Sequence, residues 1–239
     1  MVVVALKDQN HLFRSIPNAE WERLLPHIEA IDLPLGKILC EPGMKMPYVY
    51  FPSTATVSIL HELENGSTSE VAIVGNEGLL GFSIFLGDGM TSSTAMVKIA
   101  GSGYRIKSGV LLQEFTQSAP LQHLFLRFTQ AVITQMTQTA VCNRHHLMSE
   151  QLCRLLLVLL DRLPDSQILI TQENIARSLG VRREGVTEAA LQLQKDELIK
   201  YARGHITILD RAGLEKRTCE CYKVVRAEYK RLLPERIAA

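Results

Sequence analysis

Apolar residues follow a strand-like pattern in the first half of the chain. Short β-branched and aromatic runs alternate with turn residues between about positions 32 and 115, and they occupy residues 48–51, 56–60, 70–74, 94–99 and 104–106. Short, regularly spaced strands of this kind predict an antiparallel sandwich or barrel-like roll. Asn65-Gly66 between two of the runs predicts a hairpin. Ahead of the roll, residues 10–30 have helical spacing around Trp21.

The spacing becomes helical after the roll. Residues 119–147 contain no glycine and, after Pro120, no proline. Apolar residues recur at Leu121, Leu124, Phe125, Phe128, Val132, Met136 and, less regularly, Val141. This pattern predicts a helix of about 43 Å. A helix of this length needs a partner surface for its apolar stripe. A seam with a second copy of the chain is favoured, and packing onto the roll is the alternative; the two are compatible.

Shorter helices and strands are predicted for the rest of the chain, after residue 147. A helix is expected over 149–163, ending at Pro164, followed by three helical segments and one hairpin. Residues 199–201 and 205–208, joined around Arg203-Gly204, predict a two-stranded wing. Asp210 is a good N-cap for a final helix.

Two helices of this region have the spacing of a helix-turn-helix. Thr171 is a candidate N-cap for the first. Small Ala176 is followed by Gly180 after four residues and by β-branched Val186 after six more. Ile175, Leu179, Ala190 and Leu193 complete the inward faces. Because a predicted hairpin follows, the set indicates a winged helix-turn-helix.

The second of these helices begins with two arginines, Arg182 and Arg183, although a helix N-terminus favours negative charge. DNA phosphates would supply that charge, and an arginine at this position can bind guanine O6 and N7. Arginines on a solvated face are the simpler interpretation, which the helix-turn-helix context disfavours. The expected DNA-contacting residues are Thr171, Gln172, Arg182, Arg183, Glu184, Thr187, Glu188 and Arg203.

Composition narrows the class of protein. The 239 residues are 46% hydrophobic and 21% charged, as in a folded globular protein. Residues 1–150 carry a net charge of −3 and residues 151–239 a net charge of +4, so the basic half is the one with the helix-turn-helix. We find no nucleophile motif and expect that the protein is not an enzyme. Without a signal-like N-terminus or a membrane-length apolar run, we expect a cytoplasmic protein that does not bind membranes.

The five cysteines, Cys40, Cys142, Cys153, Cys219 and Cys221, do not form a disulfide framework. Cys219-Glu-Cys221 has no second cysteine pair or histidine cluster near it in sequence. The neighbours His145 and His146 point about 100° apart on a helix and cannot bind one ion together. The thiols are therefore interpreted as incidental, with no metal and no cofactor expected.

Two segments resemble the Crp/Fnr superfamily of bacterial transcription regulators: RREGVTEAA (182–190) and GHITILDRAGLE (204–215). The resemblance covers nearly the whole chain and implies an α+β fold. Its parts would be an antiparallel, cyclic-nucleotide-binding-like β-roll sensor (1–118), a long dimerisation helix (119–147) and a winged helix-turn-helix (148–239). Arg183-Glu184 matches the base-reading pair of the family, whereas Glu188 stands where the family has a second arginine. Arg203 and Thr171 match positions that contact phosphate.

The sensor departs from the cyclic-AMP-binding members of the superfamily. Phe82 replaces the glutamate that holds the ribose, and no arginine lies between Gly75 and Thr94. A buried phosphate without a cation would be costly, so cyclic AMP is not expected. The candidate effector pocket is Gly81, Phe82, Ser92 and Ser93. The four-cysteine spacing of the iron–sulfur branch is also missing.

Two functions remain after these observations. The favoured one is a homodimeric regulator of transcription that binds a palindromic operator in double-stranded DNA and contacts RNA polymerase, with an unidentified effector in the roll. The alternative is an effector-binding roll whose winged helix contacts another protein.

Overall fold

Two antiparallel sheets form the N-terminal half of the protein, in a computed structural model that describes residues 6–163 and 166–233. One sheet has the strand order β1 (Glu29–Leu33), β7 (Gly101–Lys107), β3 (Tyr48–Pro52). The other has the order β2 (Ile38–Cys40), β6 (Thr94–Ile99), β4 (Thr56–Glu62), β5 (Thr68–Val74). The five predicted strands and the β4–β5 hairpin are confirmed. The pattern did not predict β1 and β2, which are short, and β1 is mostly exposed.

The roll closes around an aromatic core. Phe51 and Val57 are fully buried between the sheets. Phe13, from the N-terminal helices, packs against Phe51 with ring centroids 4.5 Å apart and against Trp21 at 5.1 Å. The first helices therefore cover one end of the roll.

The helical prediction for residues 10–30 is confirmed from His11 to His27, as three separate elements, and is wrong at its end. The chain forms α1 (His11–Ser15), α2 (Asn18–Leu24) and a 3-10 turn (Leu25–His27), and β1 already begins at Glu29. Pro17 is the cause of the first break, because its fixed φ and missing N–H suit the start of α2 but not the interior of a helix.

A short helix, α3 (Ser108–Gln117), leads into the predicted long helix, α4 (Ala119–His145). The Ser118 hydroxyl caps α4 by accepting from the backbone N–H of Leu121. The apolar stripe packs within the chain: Leu121, Phe125, Phe128 and Val132 belong to the core of the roll. The Phe128 ring lies so close to Gly78 that a Cβ there would be 2.1 Å from it.

A second face of α4 is exposed. Leu126, Ile133 and Val141 are 41%, 45% and 43% exposed. They recur at intervals of seven and eight residues, which places them along one side of the helix. Packing within the chain therefore accounts for most of the predicted stripe, whereas Val141, its least regular member, lies on this second, exposed face.

The described C-terminal part contains five helices and three strands, and its last helical segment is divided differently from the prediction. The elements are α5 (Met148–Leu160), β8 (Gln167–Leu169), α6 (Gln172–Leu179), α7 (Arg183–Lys195), β9 (Ile199–Ala202), β10 (His205–Ile208), α8 (Arg211–Arg217) and α9 (Glu220–Leu232). Thr171 and Asp210 cap α6 and α8 as predicted. The final helix is two helices rather than one, and β8 adds a third strand beside β10. Pro164, the predicted end of the second helix, lies outside the described residues.

The last helix runs back along the long helix. Cys219 precedes α9 and lies near Cys142 at the end of α4, while Tyr229 meets Phe128 near its middle, with ring centroids 6.4 Å apart. The two helices are therefore antiparallel. Arg162 adds a link to the roll, because its guanidinium binds Glu77 at 2.7 Å and lies over the Tyr229 ring.

A buried polar network joins the roll to the first helix of the helix-turn-helix. Lys98 on β6 donates to the Glu70 carboxylate on β5 at 2.8 Å and to the Ser178 hydroxyl on α6 at 2.5 Å. Ser58 also donates to Glu70. Burial lowers the pKa of Lys98, and the attraction of Glu70 opposes that shift.

Among the residues that the structure describes, no helix is both long and apolar enough to cross a bilayer.

Candidate nucleic-acid interface

The turn between α6 and α7 is made possible by Gly180. Its φ of +65° and ψ of +33° are left-handed, a region that glycine enters without steric cost. The backbone N–H groups of Gly180 and Val181 both donate to the Ala176 carbonyl. This confirms the predicted role of Gly180 and sets the sharp angle between the two helices.

One face of α7 is anchored in the core. Val186 and Leu193 are fully buried, and Ala190 is almost so. They pack with α5 and α6 in the core of the C-terminal part. Burial of this face leaves the opposite side of α7 in solvent, where Arg182, Arg183, Glu184 and Glu188 lie.

The N-terminus of α7 carries two arginines that form no ion pair among the described residues. Arg182 is the N-cap residue and makes no side-chain capping bond. Within the described residues, Arg182 and Arg183 are exposed, and neither guanidinium has a hydrogen bond or ion pair. Two arginines at the positive end of a helix dipole form a site to which an anion is attracted.

Two of the predicted contact residues bind each other instead. The Thr187 hydroxyl lies 2.9 Å from Gln172 Oε1 and 3.1 Å from the Arg183 carbonyl. The contact ties the first turn of α6 to the first turn of α7. Thr171, the N-cap of α6, accepts from the Asn174 N–H at 3.2 Å and keeps its hydroxyl hydrogen for another acceptor.

Arg203 lies at the tip of the wing in a strained conformation. Its φ is +51°, and that of Gly204 is +82°. Two successive positive φ angles are those of a type I′ hairpin turn, which matches the twist of the strands. An arginine rarely adopts this conformation. The Gly204 carbonyl accepts from Ile170 N–H at 2.8 Å, which holds the wing beside α6.

An open cleft of about 470 Å³ separates α7 from the wing. It brings together Thr171, Gln172, Arg183 and Arg203, four of the eight predicted residues. Arg182, Glu184, Thr187 and Glu188 do not line it. The cleft also contains Tyr201, which sequence reasoning missed.

Tyr201 joins the wing to α7 and to the segment that precedes α6. Its hydroxyl donates to the Ile170 carbonyl at 3.1 Å, and its backbone N–H donates to Gln194 Oε1 at 2.8 Å. Burial raises the pKa of Tyr201, and the nearby Arg183 lowers it. The wing pattern placed this residue on a strand, but nothing local indicated which helix it would face.

The four predicted effector residues lie together in the roll. Gly81, Phe82, Ser92 and Ser93 line a cavity of about 260 Å³. The Ser93 hydroxyl lies 2.9 Å from His61 Nε2. Met136 of α4 reaches the same cavity, whose described lining contains no lysine or arginine. The pocket is therefore in contact with the long helix.

Cys219 and Cys221, which have no histidine near them in sequence, meet a histidine and a third cysteine in the structure. The structure places Cys142 and His146 beside them, and the ligand atoms of all four residues lie within 4.8 Å of one another. The four thiols of Cys142, Cys153, Cys219 and Cys221 are buried, but Cys153 is outside this cluster.

Comparison with known proteins identifies the C-terminal domain and the fold. Residues 150–217 match the Crp-like helix-turn-helix domain. FixK2 from Bradyrhizobium japonicum superposes with a TM-score of 0.70 at 17% identity, over 80% of this chain and 98% of that chain. A Crp/Fnr-family transcriptional regulator from Eubacterium rectale gives 0.66 at 18% identity, over 86% and 96%.

The c-di-GMP-responsive global regulator CLP of Xanthomonas campestris gives a TM-score of 0.64 at 18% identity, over 81% of this chain and 100% of that chain. No curated protein sequence matches the chain significantly. At these identities the solved structures establish the architecture: a cyclic-nucleotide-binding-like roll, a long helix and a helix-turn-helix. The chain thus carries a Crp-like helix-turn-helix domain at residues 150–217 within the fold of the Crp/Fnr transcription regulators.

Proposed function

We propose that the protein is a sequence-specific transcription regulator that binds a palindromic DNA operator as a homodimer. The observation that carries the proposal is the Arg182-Arg183-Glu184 segment at the N-terminus of α7, whose side chains are exposed and have no partner among the described residues. In helix-turn-helix proteins this end of the recognition helix enters the major groove. A free guanidinium there is suited to a guanine, and a free carboxylate to a cytosine amino group.

The geometry suggests a division of roles among the predicted residues. Arg183 and Glu184 would read base edges, with Arg182 and Glu188 beside them on the exposed side of α7. Thr171 and Arg203 flank the cleft and would bind phosphates. Gln172 and Thr187, since they bind each other, would mainly hold α6 and α7 at the correct angle.

The homodimer part of the proposal rests on α4. Leu126, Ile133 and Val141 form an exposed apolar line along this helix. A second copy would cover it with the same line from its own α4, in the manner of a coiled-coil seam. Two-fold symmetry would then present two copies of α7 to half-sites about one helical turn apart.

The roll would act as the sensor. Because the described lining of its pocket contains no lysine or arginine, the effector we infer is an uncharged molecule rather than a cyclic nucleotide. Met136 lies on α4 and lines this pocket, so a bound effector would change the position of α4 through this side chain. We further propose that the DNA-bound dimer contacts RNA polymerase and acts in the cytoplasm.

Selection from a random duplex library with purified protein, at near-physiological salt, tests the proposal. We expect a two-fold symmetric motif, and affinity that falls steeply with salt, with a slope of about −0.9 per phosphate contacted. If no motif is enriched, with or without small molecules from a cell extract, and the salt dependence is weak, the proposal fails. The winged helix would then be a module for protein contact.

A further inference from the structure

Four side chains with metal-binding atoms meet at the junction of α4 and α9. They are Cys142, His146, Cys219 and Cys221, and their ligand atoms all lie within 4.8 Å of one another. Cys142 Sγ is 3.5 Å from Cys219 Sγ, and Cys221 Sγ is 3.7 Å from His146 Nδ1. None of these four residues lines the roll pocket or the cleft beside α7, so the cluster belongs to neither of the sites described above.

Tertiary structure produces this cluster from two local pairs. Cys142 and His146 are four residues apart at the end of α4, which places them on one face of the helix. Cys219 is the N-cap residue of α9, and Cys221 lies in its first turn. Because α9 runs antiparallel to α4, its N-terminus meets the C-terminus of α4.

Three cysteine sulfurs and one imidazole nitrogen are a ligand set of structural zinc sites. Tetrahedral geometry with Zn–S bonds of about 2.3 Å requires sulfur atoms about 3.8 Å apart. With a Zn–N bond of about 2.0–2.1 Å, it requires a sulfur-to-nitrogen distance of about 3.6 Å. The distances of 3.5 Å and 3.7 Å are close to these values.

The surroundings of His146 fit the same role. Its Nδ1 faces the thiols, while its Nε2 lies 3.2 Å from the Glu220 carboxylate. A carboxylate on the second ring nitrogen is the usual support of a zinc-binding histidine, because it fixes the tautomer and the orientation of the ring.

Burial and charge also favour a closed, structural site. The three thiols are between 0% and 4% exposed. Arg154 is buried nearby, acts electrostatically on Cys142 and Cys221, and forms no ion pair with a carboxylate in the described part of the chain. A zinc ion with three thiolates has a net charge of −1, which this guanidinium would offset.

We propose that Cys142, His146, Cys219 and Cys221 bind one Zn²⁺ ion that fastens the last helix to the long helix. Binding displaces one proton from each of the three thiols, which bind as thiolates, while the imidazole binds in its neutral form. The site is independent of the DNA-reading helix, so the proposal stands or falls separately from the regulator function.

The first test is the metal content of the full-length protein, purified in the presence of a reductant and dialysed against a weak chelator. We expect one zinc per chain by mass spectrometry. Co²⁺ added to the metal-free protein should give the visible absorption of a tetrahedral thiolate complex. Cys219→Ser should lose both signals, whereas Cys153→Ala, which removes a buried thiol outside the cluster, should keep them.

A second variant distinguishes loss of zinc binding from loss of folding. Glu220 is exposed, so Glu220→Gln should fold normally, as judged by circular dichroism, and should lower zinc affinity by about 10- to 100-fold. Competition with a coloured zinc chelator measures this shift. Wild-type protein that retains no more zinc than Cys219→Ser would overturn the proposal. So would a Cys142–Cys219 disulfide in protein prepared under reductant, since it would make the cluster a redox pair.

Discussion

At the scale of single residues, the side chains around the start of α7 fall into two groups: some have hydrogen-bond partners within the described protein and others do not. Thr187 and Gln172 bind each other, and the hydroxyl of Thr171 caps α6. Arg182 and Arg183 remain exposed and unpaired in the described structure. Residues with internal partners position the helices, whereas residues without them are available to a ligand.

Arg183 is the residue on which base discrimination should depend most. Arg183→Ala removes the bidentate donor, so we expect a loss of about 1–3 kcal/mol in discrimination at one base pair of the selected operator. Lys107→Ala, which removes an exposed positive charge from the roll, is the control and should leave discrimination unchanged. Equal selectivity of the Arg183 variant and the parent, measured by competition binding, would remove Arg183 from the base-reading role.

At the scale of elements, two glycines near the turn of the helix-turn-helix have opposite requirements. Gly180 has a positive φ and no atom closer than 3.8 Å to a Cβ placed on it. Gly185 lies inside α7, and the nearest atom to a Cβ there is Met148 Cγ at 4.0 Å. Space is available at both positions, so backbone conformation alone decides the effect of a methyl group.

Alanine should therefore have opposite effects at these two positions. Gly180→Ala forces a left-handed alanine and should lower the free energy of unfolding by about 1 kcal/mol. Gly185→Ala improves helix propensity and should raise it by about 1 kcal/mol. Urea unfolding of both variants beside the parent measures the difference. Shifts of the same sign would mean that the turn geometry described for Gly180 is wrong.

The two faces of α4 lead to a prediction for assembly. Ile133 lies in the middle of the exposed line and is outside the core. Ile133→Glu should convert a dimer to a monomer in sedimentation equilibrium without loss of helicity, because two buried like charges would face each other across the seam. Ile38→Glu, at a comparably exposed position on β2, is the control. A dimer that survives Ile133→Glu would place the interface elsewhere.

At the scale of the whole molecule, the roll is joined to the helix-turn-helix by polar groups as well as by apolar packing. Lys98, Glu70 and Ser178 form a buried network between the roll and α6, and the side chains of Lys98 and Glu70 are only 4% and 7% exposed. A change in the roll, which also contains the proposed effector pocket, would therefore reach α6 directly.

The contributions of Lys98 and Glu70 to the free energy of unfolding should depend strongly on each other. Lys98→Met leaves the Glu70 carboxylate buried without its cation, so we expect a loss of about 3–5 kcal/mol in the free energy of unfolding. Glu70→Gln in the same chain removes the orphaned charge and should restore most of that loss. Urea titrations of both single variants and the double variant give the coupling energy. Losses that simply add would show that the two charges do not interact in solution.

Much of the fold was predictable because local patterns encode it. Alternation and turn residues predicted five strands of the roll, and the 3.6-residue period predicted α4. Thr171, Gly180 and Asp210 were identified correctly because a cap or a left-handed turn depends on only a few neighbouring residues. The exposed Arg182 and Arg183 followed from the same helical period.

Contacts between distant segments were decided by the tertiary structure alone. The Thr187–Gln172 bond depends on the angle between two helices, and the position of Tyr201 depends on how the wing folds back. The cluster of Cys142, His146, Cys219 and Cys221 joins residues 77 positions apart, and no local period relates them. By itself the sequence determined most of the elements, their order and the exposed arginines, because hydrogen bonding and hydrophobic periodicity act over a few residues. Only packing of complete elements decided which side of α4 is covered and which cysteines meet.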